Sequence, residues 1–134
     1  MTMAAVTITL YVNTSQINVH NIDSESNFGQ VSGISNEDYT TNANPGDTVT
    51  WQGLSTASTS DVVNITAINY EGGQNVFDQN NLPGNGSSPE KVIGVVQNGT
   101  AGKTEVYTLF FTVFNNGTRR GGTYRIDPKL AINQ

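Results

Sequence analysis

The sequence predicts an all-β fold: a single-domain, two-sheet antiparallel β-sandwich of immunoglobulin-like or jelly-roll-like form over residues 1–134. Three observations carry this reading. Apolar and polar residues alternate along much of the chain, which is the period of a half-buried strand. The alternating runs are short and are separated by clusters of Gly, Pro, Asn and Asp, the residues that make turns. The composition also favours strands, with 17 Thr, 17 Asn, 10 Ser and 14 Gly among 134 residues, while strong helix formers are scarce.

The elements follow in order. Val6, Ile8, Leu10 and Val12 share one face of a first strand, with Thr7, Thr9 and Tyr11 on the other. Ile17-Asn-Val19 reads as a short second strand. Residues 21–44 are polar and acidic, so a long loop with one or two short edge strands is expected there. Asn44-Pro-Gly-Asp47 makes a tight turn. Thr48-Val-Thr-Trp-Gln52 then points Val49 and Trp51 inward, and Gly53–Ser60 reads as a loop. In Val62–Tyr70 the alternation slips between Ile65 and Ile68, which predicts a bulge near Thr66-Ala67. Asp78–Glu90 reads as a second long loop, and Lys91–Gln97 as a strand. Glu105–Phe114 is apolar on both faces, as a central strand would be. Asn115-Asn-Gly117 is a hairpin signal. Tyr124, Ile126, Leu130 and Ile132 close the chain in alternation, with Pro128 expected at a bend or on an edge.

Charge and residue inventory exclude most chemistry. Six basic and eleven acidic residues leave a net charge of −5, a poor match to nucleic acid, so no nucleic-acid partner is expected. With no Cys and a single His20, thiol nucleophiles, disulfides and copper or zinc sites lose their ligands. Hydrolytic triads would all have to use His20, and Asp127 and Asp47 read as turn residues rather than a catalytic pair. The chain is expected not to be an enzyme and to need no cofactor. Calcium is the one metal left open, because Asp23, Glu25, Glu37 and Asp38 cluster oxygen ligands in a polar loop. No run approaches the length of a membrane span and no basic n-region opens the chain. A protein that does not insert in a membrane is expected, cytoplasmic or exported without a Sec-type signal.

Two functional readings remain. The first is self-association into a homo-oligomer or larger assembly. The first strand lacks the Lys or Pro that normally blunts an edge, and the chain has only three lysines, Lys91, Lys103 and Lys129. The contacts expected are Val6, Ile8 and Leu10 at one end and Leu130 and Ile132 at the other. Both chain ends, Met1 and Gln134, are expected to be tied down by pairing, within the fold or in a neighbour. The alternative is a lectin-like module that holds carbohydrate, with or without calcium. Its loops would present Tyr39, Tyr70, Asp78, Asn80 and Asn81.

From Pro45 onward the chain resembles the bacterial inclusion-body protein family of the AidA/PixA type. The resemblance rests on Gly46-Asp-Thr-Val-Thr-Trp51, the small polar loop Ser55–Ser60, the strand Val62–Tyr70 with its glycine pair, the aromatic strand Tyr107–Phe114, and the closing Tyr124-Arg-Ile-Asp-Pro128. It implies a β-sandwich that accumulates or assembles and carries no catalytic residues. Two features depart from the family pattern: methionine is scarce, and Lys129 stands where an aromatic residue is expected.

Overall fold

The computed structural model describes residues 4–134, and the expectation for Met1 lies outside them. Among the described residues, eleven strands form two sheets that face each other across one core. β1 (Ala5–Val12), β2 (Ser26–Asn27), β4 (Thr48–Ser55) and β7 (Val92–Val95) make a four-stranded sheet in the order β2-β1-β4-β7. The second sheet has the order β3-β11-β8-β5-β6. Its strands are β3 (Thr40–Ala43), β5 (Val62–Gly73), β6 (Asn81–Pro83), β8 (Thr104–Asn115) and β11 (Lys129–Ile132). β9 (Thr118–Arg119) and β10 (Tyr124–Ile126) also pair with β8.

The sandwich is as expected, but its sheets are mixed. β1 runs parallel to β4 over its whole length, from Ala5 opposite Thr48 to Val12 opposite Ser55. β11 runs parallel to β3. Parallel neighbours require a long crossover, and the polar stretch between β1 and β4 serves as one. Periodicity tells which face of a strand is buried but carries no information about the direction of its neighbour.

Alternation otherwise places the core correctly. Ile8, Leu10, Val12, Val49 and Trp51 from the smaller sheet meet Val63, Ile65, Ile68, Leu109 and Phe111 from the larger. The ring of Trp51 lies edge-on to Phe77 and Tyr107, each at a centroid distance of 5.5 Å. The β5–β8 register shifts between Ile65 and Ala67, the bulge that keeps Ile65 and Ile68 on the same buried face. Gly53 faces inward on β4 where β5 comes close, and a Cβ there would overlap the Val63 side chain. The Asn115-Asn-Gly117 turn has φ of 53° at Asn116 and 78° at Gly117, the left-handed pair of a tight hairpin.

Four expectations are revised. Ile17-Asn-Val19 is not a strand. Ile17 is instead a buried anchor whose carbonyl accepts from Arg120 Nε at 2.6 Å. The loop after Asp78 contains β6, paired with β5. Gly53, Leu54 and Ser55, expected to open a loop, instead complete β4. Residues 124–132 form two short strands that pair with β8 in one unbroken register on either side of Asp127-Pro128.

Candidate functional site

Among the described residues no acid–base constellation is assembled. His20 is exposed. Asp47 is buried as a turn clasp, accepting from the Ala4 and Asn44 N–H groups at 3.1 and 2.8 Å. Asp127 accepts from the Thr108 hydroxyl at 2.7 Å.

Two buried carboxylates escaped the sequence reading, because neither lies in a motif. Asp61 accepts from Thr14 Oγ1 and Asn115 Nδ2, both at 2.6 Å, and from the Asn116 N–H at 3.1 Å. These donors hold its carboxyl below the ordinary range. Glu105 is buried on β8 and accepts from the Val76 N–H at 2.8 Å. Burial pushes its carboxyl up to about 7, against the opposing effect of that hydrogen bond.

The residues expected to form ligand loops do not share one site. Tyr39 lies beside β3 and stacks on Phe28 at 4.7 Å, whereas Tyr70, Asp78, Asn80 and Asn81 lie at the opposite edge of the larger sheet. There Tyr70 donates its hydroxyl to the Gly73 carbonyl, Asn80 accepts from Asn75, and Asn81 donates to Asn69. Tyr70, Asn80 and Asn81 are thus each bonded to another residue of the same edge rather than to one another.

The four loop acids are also divided. Asp23 and Glu37 line one cleft of about 440 Å³ together with His20, Arg125 and Asp127. Asp38 turns to Lys129 at 3.5 Å, and Glu25 is not among the residues lining the cleft. Among the described residues no group of three or more His, Asp or Glu side chains converges as a metal site.

The expected assembly contacts need the largest revision. Ile8, Leu10, Leu130 and Ile132 are core residues, and Val6 packs against the core. β11 lies between β3 and β8 and offers no free edge. The end of the chain is tied internally, with the Asn133 N–H donating to the Ala43 carbonyl at 2.8 Å. β1 is different. β2 covers only Tyr11 and Val12, so the outer edge from Ala5 to Leu10 has no strand partner among the described residues. The carbonyls of Ala4 and Val12 accept from Thr48 and Thr56 on the β4 side. Main-chain groups alternate in direction along a strand, so those of Ala5, Thr7 and Thr9 point outward.

These features define a small β-sandwich of mixed sheets with an open strand edge. No protein-family model matches the chain, and no curated protein matches it in sequence. Its fold is that of an inclusion body protein, PixA, from Burkholderia cenocepacia. That crystal structure covers 98% of this chain and 96% of its own at a TM-score of 0.67, with 15% sequence identity. Among the described residues no helix is long and apolar enough to cross a membrane.

Proposed function

We propose that this chain is a non-enzymatic structural protein that associates with copies of itself by pairing along the outer edge of β1. The single observation that carries the reading is that edge: N–H and C=O groups at Ala5, Thr7 and Thr9 with no strand beside them among the described residues, and no Lys, Pro or inward charge in β1 to block one. A second β1 can lie antiparallel to it and extend the four-stranded sheet across a two-fold axis. The contact is made by main chain, since the apolar side chains of β1 are spent on the core. The fold shared with an inclusion body protein supports the same reading.

Thr7→Pro tests it. Proline removes an outward N–H, and an edge position tolerates it without loss to the β4 pairing. Light scattering and electron microscopy over a range of concentrations should show the parent chain in species larger than 14.3 kDa, with the variant folded and reduced in mass. A parent chain that stays monomeric throughout overturns the proposal.

One observation favours a second reading, carbohydrate binding. The cleft of Asp23, Glu37, Arg125 and Asp127 contains both donors and acceptors, and no ion pair links them among the described residues. Saccharide hydroxyls donate and accept at once, which suits such a lining. Glycan-array binding with and without a chelator checks both the sugar and the calcium. The absence of any saturable signal removes this reading.

A further inference from the structure

We infer that the outer face of the four-stranded sheet is a second contact surface, and that its occupant is another copy of this chain. The inference rests on the self-association proposed above and adds to it a surface and a consequence.

The face is distinguished by what it lacks. No residue of β1, β2, β4 or β7 is charged, although the chain carries eleven acidic and six basic residues. The larger sheet, by contrast, has Glu71, Glu105, Arg119, Arg125 and Lys129 in its strands. Two copies with a net charge of −5 each repel one another. This sheet face is where they can meet without bringing carboxylates together. The charged residues next to these strands, Glu25 before β2, Asp47 before β4 and Lys91 before β7, lie at the sheet's rim, outside the strands themselves.

Pairing register shows what covers the face. Ala5, Thr48 and Val95 form one cross-strand row, Thr7, Thr50 and Ile93 the next, and Tyr11 lies beside Leu54 further along. Their sequence neighbours Ile8, Leu10, Val49, Trp51 and Val92 are buried, which directs this set outward. Leu54, Ile93 and Val95 remain 49%, 57% and 48% exposed. Apolar side chains of this size gain from being covered. Threonine has little rotamer freedom to lose on immobilisation, and its hydroxyl both donates and accepts. A surface of threonines is therefore complementary to itself, which a two-fold contact between identical chains requires.

The consequence concerns growth. Pairing at the β1 edge leaves this face open, and stacking of the face leaves the edge open. Two different two-fold contacts on one chain propagate beyond a dimer, which neither does alone.

Charge placed on the face tests the inference. Thr50→Glu with Ile93→Glu sets carboxylates against their own copies at exposed or half-exposed positions, and Thr50→Ser with Ile93→Thr is the control. Scattering and electron microscopy should show assemblies beyond the dimer for the parent and the control. The Glu pair should stop at twice the chain mass, as should Thr7→Pro, whereas Thr7→Ala, which changes the same side chain of the face and keeps the outward N–H, should assemble like the parent. The Glu pair and Thr7→Pro together should give monomers. Unchanged assemblies in the Glu variant overturn the face while leaving the β1 edge standing. Assemblies lost in the Glu variant and unaffected by Thr7→Pro overturn the edge instead. A monomeric parent overturns both. In that case, retention on an insoluble flat polysaccharide that the Glu variant loses would give the face a different occupant.

Discussion

Trp51 Nε1 donates a hydrogen bond of 3.2 Å to the Tyr107 hydroxyl inside the core, joining β4 of one sheet to β8 of the other. Both residues are fully buried, and burial raises the Tyr107 hydroxyl far above its ordinary pKa. The bond thus acts as a neutral tie at all working pH values. A shifted pairing of the sheets would strand two polar atoms in an apolar interior, so this bond also specifies their relative position.

Tyr107→Phe should therefore cost more than one average hydrogen bond, because the indole N–H is left buried without an acceptor. A loss of about 1–3 kcal/mol is expected. Urea denaturation should show a lower midpoint with an unchanged slope. The double variant with Trp51→Phe should lose less than the sum of the two single changes, since it removes both partners. Strict additivity would show that the bond contributes nothing.

Glu105 makes stability fall as pH rises. Its carboxyl is raised to about 7 in the folded protein from an ordinary 4.5. Between those values the unfolded chain has lost its proton while the folded chain retains it. The contribution of Glu105 is greatest below about 4.5, declines through the window and levels off above about 7. Glu105→Gln keeps an acceptor for the Val76 N–H and removes the titration. The variant should be more stable than the parent at pH 8, by about 1–3 kcal/mol, and flatter in pH. A parallel pair of stability curves would exclude a buried, titrating Glu105.

Asp61 has the opposite sign. Its carboxyl is held low by Thr14, Asn115 and Asn116, so its contribution is present above the ordinary value near 3.8 and is lost as pH falls through the folded value. Asp61→Ala should lower the denaturation midpoint at pH 7 and speed amide exchange in the 115–118 hairpin. The difference from the parent should shrink in acid. Unchanged exchange at Asn116 would mean that the carboxylate does not organise this turn.

Much of the fold was legible from local pattern. Val49 and Trp51 point inward, the bulge falls beside Thr66, and the hairpin turns at Asn116-Gly117. Each of these depends on a residue's own backbone preference or on a period of two. The functional features were less legible. Ile8, Leu10, Leu130 and Ile132 have the same apolar alternation whether a strand faces the core or a neighbouring molecule. Asp61 and Glu105 are ordinary acids in sequence, and partners as distant as Thr14 and Val76 give them their properties.

By itself the sequence determined that this protein is an all-β sandwich without the residues for thiol or copper chemistry. It also determined which face of most strands is buried, since side-chain direction alternates within each strand. Only the tertiary structure decided that β1 lies parallel to β4, that β11 is enclosed while β1 keeps an open edge, and that the uncharged strands share one sheet. Pairing joins segments such as residues 5–12 and 48–55. Which segments pair depends on how all the buried faces close over one core, and no local pattern records that.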